Sequence, residues 1–199
     1  LLSLLGIVLY ANSFHSGFQF DDYKIIVENP VIKQPALYPR ILTENFLGSI
    51  KGKKESRLQY HRPVTLFSFA IDYRLWKLNP WGYRLTNILI HSLNCLLLYL
   101  FILGLFKDSQ LALLSCVFFC ILPTHEWDVS YISARSGLLY SFCMLLSLIF
   151  VTKFLQNKKR QKYFLALLFF ILSLFSREIS VIYPSLVFLV CYASLRNWK

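Results

Sequence analysis

The sequence predicts an all-α integral membrane protein, and three observations support that prediction. Of the 199 residues, 56% are hydrophobic and only 16% are charged, whereas a soluble domain is about 45–50% apolar and about 25% charged. The mean hydropathy is +0.52. The apolar residues form blocks separated by short polar segments, which is the pattern of membrane-spanning helices. We therefore expect a multi-span helical bundle with a long first outer loop that carries amphipathic surface helices.

Six apolar blocks are predicted to cross the membrane. The first, residues 1–13, is shorter than the roughly 20 residues that a span needs, so we interpret it as a truncated span. An outer loop of residues 14–84 follows, and residues 85–199 form a five-span bundle. The five spans are predicted at residues 85–106, 111–123, 137–155, 163–176 and 179–195.

Lysine and arginine in the short loops predict the orientation. The cluster Lys158-Lys159-Arg160 between the fourth and fifth spans is expected on the cytoplasmic side. The long loop is then on the outer side, with the turns at residues 124–136 and 177–178. The long loop is itself basic, but loops above about 60 residues cross the membrane largely regardless of charge.

The outer loop begins with two adjacent acids. Asp21 and Asp22 directly follow the first apolar segment, and acids at such a position mark a functional site by default. Farther along, residues 64–78 are predicted to form a helix on the membrane surface, with Asp72 on its solvated polar face. The apolar positions of this helix recur every three to four residues: Val64, Phe67, Ala70, Ile71, Leu75 and Leu78.

Charge and cysteine usage exclude several classes of function. The net charge of +11 is explained by basic residues near lipid headgroups, and the sequence contains no nucleic-acid-binding motif. All five cysteines lie in apolar spans, which argues against a disulfide framework. Cys116 and Cys120 are four residues apart, but a metal site needs more ligands, so we predict core packing and no metal. His91 and Asn94 are predicted to make hydrogen bonds between helices.

Polar groups that suit one reaction collect on the predicted outer side. Carboxylates can act as a general base on a hydroxyl, and the planar fork of arginine binds phosphate oxygens. Each group alone is explained equally well by a solvated charge or an ion pair, but the set indicates a site for a lipid-linked phosphate. The groups are Asp21, Asp22, His61, Arg62, Arg84, His125, Glu126, Asp128, Arg135, Arg177 and Glu178.

Short motifs along the chain resemble a known family. They are Phe-Asp-Asp-Tyr from residue 20, His-Arg-Pro-Val-Thr from residue 61, Asn-Pro-Trp-Gly-Tyr from residue 79 leading to His91, and Ser-Arg-Glu from residue 176. The sequence resembles the N-terminal membrane portion of the C-type-fold (GT-C) polytopic glycosyltransferases related to protein O-mannosyltransferases. It is most similar to the branch in which tetratricopeptide repeats follow the membrane region, so C-terminal spans and a repeat domain are expected beyond this portion.

The resemblance implies an inverting glycosyltransferase in the bilayer. Its donor would be a polyprenyl-phosphate sugar, carrying mannose or another hexose, and its acceptor a hydroxyl of a protein or glycan on the outer or luminal side. No cofactor, metal or nucleic acid is implied. The resemblance assigns Asp21 and Asp22 to catalysis, with Asp21 as the base and Asp22 positioning the acceptor or its partner. It assigns Arg177, Arg62 and Arg135 to the donor phosphate, Glu178 to orienting Arg177, and His125, Glu126 and His61 to orienting the acceptor.

The chain departs from the family pattern at three positions. Leu122 and Trp127 replace a histidine and a glutamate of the family's His-Pro-x-His region, and Gly137 replaces an aspartate. These departures predict a shift of one acid, a different acceptor or a weakened activity. Two other interpretations stay open: a membrane transporter or lipid-binding protein, and a non-catalytic scaffold. The residues of the Asn-Pro-Trp-Gly-Tyr motif favour a location in a bacterial cytoplasmic membrane, with the endoplasmic reticulum membrane as the alternative.

Overall fold

The computed structural model describes residues 8–43, 46 and 60–197. Most of the first predicted span, residues 1–7, lies outside these described residues, as does the basic part of the outer loop. Within the described residues the regular secondary structure is helical and no strand occurs. The all-α prediction is therefore confirmed for this part of the chain.

Eight α-helices are numbered here in chain order. They are α1 (Pro30–Lys33), α2 (Pro63–Trp76), α3 (Pro80–Phe106), α4 (Ser109–Ile121), α5 (Glu126–Ser130), α6 (Ser136–Asn157), α7 (Arg160–Leu174) and α8 (Tyr183–Asn197). Short 3₁₀ turns cover Ala11–His15, Pro35–Leu42, Pro123–His125, Ile132–Arg135 and Glu178–Ile182, and a π-helical turn covers Tyr23–Val27.

Local sequence signals explain where the helices begin and end. Pro63 and Pro80 occupy the first turn of α2 and α3, where the missing backbone N–H costs nothing. The Asn79 side chain accepts a hydrogen bond from the backbone N–H of Trp81, and Asp108 caps α4 in the same way. Helix α3 ends where Lys107 adopts the left-handed conformation, with φ of 57°.

Among the residues that the structure describes, two helical segments are long and apolar enough to cross a membrane. Helix α3 has 27 residues with a hydropathy of 2.2, and Ile132–Asn157 has 26 residues with a hydropathy of 2.0. Helix α4 and Pro123–Ser130 together form a third segment, bent by 52°. Glu178–Ser194 is a shorter apolar helix. The length and hydropathy of these segments agree with the predicted membrane protein. The full set of six spans stays a prediction.

Helix α3 is the centre of the bundle. It packs against α4 on one side and α6 on the other, and α6 forms an antiparallel pair with α7. The predicted outer loop has a core of its own, in which Ile25, Ile26 and Ile32 pack on Leu66 and Phe69 of α2. This second core explains how a loop of this length can hold side chains in fixed positions.

Helix α2 forms as predicted, but its faces are used differently. The apolar positions Phe67, Ile71 and Leu75 point outward and are about half exposed or more. Asp72 is buried at 2% exposure on the inner face. The prediction of a solvated Asp72 was therefore wrong, because its ionic partner Arg135, in the turn Ile132–Arg135, lies under α2.

Candidate active site

A strained turn presents the two acids that the sequence singled out. Phe20 has φ of 41°, in the left-handed region that residues other than glycine rarely adopt. Its ring is 80% exposed, so no burial of the side chain compensates for this conformation. Backbone strain of this kind clusters at functional sites. The turn directs Asp21 and Asp22 to different surroundings.

Asp22 is fully buried and ties the outer loop to the turn Ile132–Arg135. One carboxylate oxygen accepts hydrogen bonds from the backbone N–H and the hydroxyl of Ser133, and the other accepts from the backbone N–H of Gln19 at 2.9 Å. Burial raises the pKa of Asp22, while these hydrogen bonds act in the opposite direction. Asp22 therefore holds the turn in place and has no free oxygen for a substrate.

Asp21 is exposed, in contrast to its neighbour. Its backbone N–H donates to the hydroxyl of Tyr131 at 3.0 Å. Its carboxylate makes no hydrogen bond within the part of the chain that the structure describes. It lines a cavity of about 260 Å³, called here the Asp21 cavity. A free carboxylate at the edge of a cavity is suited to accept a proton from a bound hydroxyl.

Arg62 enters the Asp21 cavity in a fixed orientation. Its guanidinium donates two hydrogen bonds to Glu178, the shorter at 2.8 Å, and one to the hydroxyl of Ser136 at 3.3 Å. It also lies over the ring of Tyr60, 4.7 Å from the ring centroid, and over that of Phe46. Glu178 therefore orients Arg62, whereas the resemblance assigned it to Arg177.

Arg177 enters the same cavity with more freedom. Its nearest acid is Asp128, at 3.7 Å, and its side chain is 37% exposed. Asp128 itself packs against Gly137, where an added Cβ would lie 2.4 Å from the carboxylate. The carboxylate of Asp128 thus occupies the space beside Gly137. The predicted shift of one acid stays a prediction.

An apolar groove of about 740 Å³ adjoins the Asp21 cavity. It is lined by His61 and Pro63 on either side of Arg62, and by Phe175, two residues before Arg177. The ring nitrogen Nε2 of His61 lies 2.7 Å from the carbonyl oxygen of Leu42. His61 therefore forms part of the groove wall, and an acceptor-orienting role for it stays a prediction.

A larger cavity of about 840 Å³, called here the Arg84 cavity, lies on the other side of Tyr131. Trp127 and Tyr131 line both cavities, with their rings 4.8 Å apart. Arg84 is 1% exposed and donates one hydrogen bond, to the carbonyl oxygen of Gly17 at 2.8 Å. Its Nε and Nη1 have no partner in the described part of the chain. The predicted residue Glu126 also lines this cavity.

Arg135 does not serve the Asp21 cavity. It is fully buried and pairs with Asp72 at 2.5 Å. It also donates to the side chain of Asn87 and to the carbonyl oxygen of Tyr83. Because all its groups are used inside the protein, the expected contact of Arg135 with a donor phosphate is corrected to a structural ion pair.

His125 also lies apart from the two acids. Its ring packs against Phe119, with the centroids 4.2 Å apart, and lies 5.4 Å from the ring of His91. Asn94, which lies on α3 with His91, donates a hydrogen bond to the carbonyl oxygen of Leu138 at 2.9 Å. This confirms the predicted hydrogen bond between helices for Asn94. The Asp21 cavity thus brings together Asp21, Arg177 and Arg62, which Glu178 holds, and neither Arg135 nor His125 is among the residues that line it.

Sequence reasoning missed three contributors to the site. Tyr131 was given no role, and Arg84 and Asp128 were named among the outer polar groups without a specific role. The signal for Arg84 was a charge in the first turns of a long apolar helix, where a charged side chain is costly. The role of Asp128 can be recognised only from its contact with Gly137 in the structure. The position of Tyr131 depends on a turn that the sequence pattern does not specify.

Comparison with curated proteins finds relatives that share one name. A protein O-mannosyl-transferase of Caenorhabditis elegans is 32% identical over 185 residues, 89% of this chain and 25% of the relative. The human protein O-mannosyl-transferase TMTC3 is 28% identical over 152 residues, 75% of this chain and 16% of the relative. The mouse protein O-mannosyl-transferase TMTC2 is 30% identical over 147 residues, 74% of this chain and 18% of the relative.

The chain spans a quarter or less of the length of these relatives. No family model matches the chain. No solved structure matches it significantly. The three relatives are animal proteins, so the preference for a bacterial membrane gains no support from them.

Proposed function

Because the chain is related over most of its length to proteins named protein O-mannosyl-transferase, we propose that it is the membrane portion of a glycosyltransferase. The enzyme transfers a hexose, with mannose the first choice, from a polyprenyl-phosphate donor to a hydroxyl group of a protein or glycan. The reaction takes place on the outer or luminal side of the membrane. The animal origin of the relatives makes the endoplasmic reticulum the better supported of the two predicted locations.

One observation supports the donor class more than any other. The Asp21 cavity is lined by Arg62 and Arg177, and the apolar groove is lined by their neighbours in the chain, His61, Pro63 and Phe175. A polyprenyl phosphate has this same division, a charged head on an apolar chain. Its phosphate would lie at Arg62 and Arg177 while the first prenyl units occupy the groove.

Asp21 acts as the general base. Its carboxylate accepts the proton of the acceptor hydroxyl as the hydroxyl oxygen attacks the anomeric carbon of the donor sugar. A bond forms between that oxygen and the anomeric carbon, and the bond from the carbon to the phosphate oxygen breaks. Attack on the face opposite the phosphate inverts the anomeric configuration. The products are the glycosylated acceptor and the polyprenyl phosphate.

The two arginines stabilise the charge that develops on the leaving phosphate. Arg62 is held in place by Glu178 and by Tyr60, so its contribution requires little reorganisation. Arg177 is held less tightly, at 3.7 Å from Asp128, and can shift toward a bound phosphate. Preorganised donors directed at developing charge are commonly a large contribution to catalysis.

The acceptor approaches through the Arg84 cavity. This cavity carries many hydroxyl and amide groups, which suit a polar acceptor: Asn12, Ser13, Ser16, Gln19, Ser130 and Tyr131. Tyr131 forms part of both cavities and bonds the backbone of Asp21. A hydroxyl that passes this tyrosine reaches the catalytic carboxylate.

The test compares sugar transfer by the full-length protein with that of two variants, using a panel of polyprenyl-phosphate sugars. Asp21→Asn removes the base and keeps the shape, so transfer should fall at least about 100-fold while donor binding is retained. Glu28→Gln is the matched control, an exposed acid of the same loop, and should transfer at the wild-type rate. A wild-type protein that neither binds nor consumes any lipid-linked sugar would overturn the proposal.

A further inference from the structure

A cluster of sulfur and nitrogen atoms lies between α3 and α4, away from Asp21. His91 and Cys95 of α3 meet Cys120 of α4, and all three are fully buried. One ligand atom from each residue lies within 4.8 Å of the others. The sequence separates Cys95 and Cys120 by a turn between two helices, so their approach is a product of the tertiary structure.

The spacing within each helix directs these side chains to one place. His91 and Cys95 are four residues apart on α3, and Cys116 and Cys120 are four apart on α4. Residues four apart lie on the same face of a helix. The two faces oppose each other, since the Sγ of Cys116 donates to the carbonyl oxygen of Cys95 at 3.0 Å. Helix α4 thus contributes a second cysteine at the edge of the cluster.

The imidazole of His91 contacts the sulfur of Cys95 and interacts with the backbone of Cys120. Its Nδ1 is buried without a partner in the described part of the chain. Its Nε2 contacts the Sγ of Cys95 at 3.9 Å, and sulfur is a weak hydrogen-bonding group. A buried polar group left unsatisfied costs about 1–3 kcal/mol. Coordination to a metal ion would satisfy a ring nitrogen at this position.

The distances fit a metal site after a small contraction. With Zn–S near 2.3 Å and Zn–N near 2.0–2.1 Å, the ligand atoms of a tetrahedral site lie roughly 3.5–3.8 Å apart. The Cys95 and His91 atoms are already 3.9 Å apart. The rest of the cluster needs to close by about 1 Å, which a rotation of the Cys120 side chain can supply.

We propose that His91, Cys95 and Cys120 bind one soft metal ion, Zn²⁺ or Cu⁺. Thiolate and imidazole ligands select these ions over Mg²⁺ or Ca²⁺, which prefer oxygen. Three ligands suffice for Cu⁺, whereas Zn²⁺ takes a fourth, for which Cys116 would have to turn from the carbonyl oxygen of Cys95 toward the cluster. Binding releases the protons of the cysteine thiols, because the thiolate is the ligand.

The ion has a structural role in this proposal. The three ligand residues are fully buried, so an ion bound there would be closed to solvent and substrate, as in structural metal centres. It fastens α4, the first half of the bent segment, to the central helix α3. The proposal is independent of the proposed glycosyl transfer, since the residues of the cluster line neither the Asp21 cavity nor the Arg84 cavity.

The experiment measures metal in the full-length protein purified in detergent. Metal-free protein is loaded with Zn²⁺ or Cu⁺ in separate samples, and the amount of bound ion per chain is measured by elemental mass spectrometry. Wild type should hold about one ion per chain, and Cys95→Ser and Cys120→Ser should bind it at least about 10-fold more weakly. Cys143→Ser, a buried cysteine on α6, is the matched control and should bind like wild type.

A second measurement does not depend on the variants folding. Wild-type protein loaded with Co²⁺ in place of Zn²⁺ should show the near-ultraviolet absorption of cobalt bound to thiolate. Absence of both a bound ion and this absorption would overturn the proposal. A disulfide between Cys95 and Cys120 in the wild-type protein would overturn it as well. Equal loss of metal in Cys143→Ser would place the ion elsewhere and also contradict it.

Discussion

Two regions of the molecule use an arginine and a carboxylate in opposite ways. Under helix α2, the side chains of Arg135 and Asp72 are 0% and 3% exposed and lie 2.5 Å apart. In the Asp21 cavity, Arg62 and Glu178 are 15% and 48% exposed, and Arg177 and Asp128 are 37% and 23% exposed. The residue types are the same, and burial decides whether a pair holds the fold or stays available to a ligand.

The buried pair joins the consecutive helices α2 and α3 to a turn that is distant from them in sequence. Asp72 belongs to α2, Arg135 to the turn before α6, and the hydrogen bonds of Arg135 reach Asn87 and Tyr83 of α3. Removing one partner would leave an uncompensated charge inside the protein, and this is far more costly than the net contribution of the pair. The pairs in the cavity keep contact with solvent, so breaking them costs little.

The largest expected effect follows from breaking the buried pair. Asp72→Asn should lower the free energy of unfolding by about 3–5 kcal/mol, because Arg135 stays buried without a counter-charge. Chemical unfolding in detergent, followed by circular dichroism, measures this loss. Glu28→Gln, on the exposed surface, should change the stability by no more than about 0.5 kcal/mol. A loss below about 1 kcal/mol for Asp72→Asn would mean that the ion pair does not hold the fold.

Changing a cavity arginine should affect binding and leave stability nearly intact. Arg177→Gln removes a charged contact to the donor phosphate, which is worth about 1.5–3 kcal/mol and thus weakens donor binding about 10- to 100-fold. Titration with a fluorescent polyprenyl phosphate measures the affinity. Arg160→Gln, an exposed arginine at the start of α7, is the control and should bind like wild type. Equal affinities of Arg177→Gln and wild type would remove Arg177 from the site.

Asp22 provides an intermediate case, a buried acid at the edge of the cavity. In Asp22→Asn, an NH₂ group replaces one of the two carboxylate oxygens. That NH₂ group would face a hydrogen-bond donor, either Ser133 or the backbone N–H of Gln19, which then lacks its acceptor. The unsatisfied group should lower the free energy of unfolding by about 1–3 kcal/mol. Asp21→Asn, beside it but exposed, should unfold like wild type, so a comparison of the two variants separates the structural acid from the catalytic acid.

The pH dependence of stability tests the same residue. Burial raises the pKa of Asp22 above its ordinary value of 3.8. The folded protein therefore binds this proton more tightly than the unfolded chain. Its contribution to stability is fully present below pH 3.8 and is lost as the pH rises through the raised pKa. Asparagine does not titrate, so the stability of Asp22→Asn does not change with pH at this position. The difference in free energy of unfolding between wild type and Asp22→Asn should therefore be larger at pH about 4 than at pH about 7.

The smallest expected effect is at the exposed pair. Glu178→Gln should change the free energy of unfolding by less than about 1 kcal/mol, because Glu178 is half exposed and solvent screens its charge. Any change should shrink further in high salt, since surface ion pairs are screened. Unfolding curves at low and high ionic strength measure both. A loss as large as that of Asp72→Asn would erase the distinction between the two regions.

Part of the site could be predicted from residues that are close in sequence. Asp21 and Asp22 were singled out because two acids directly follow an apolar segment. Arg62 and Arg177 were named through the motifs around them, and the structure lines one cavity with both. The partners could not be predicted: Glu178 holds Arg62 and Asp128 holds Arg177. These pairings depend on how turns from distant parts of the chain meet.

The sequence by itself determined the helical membrane class, and it placed the helix ends to within about five residues. Apolar blocks, prolines at first turns and the caps at Asn79 and Asp108 act over a few residues, so they can be read locally. Only the tertiary structure decided that Arg135 is a structural ion, that Asp72 is buried and that His91 meets Cys120. Burial and pairing depend on which helix faces pack together, and a linear pattern does not specify the neighbour across the interface.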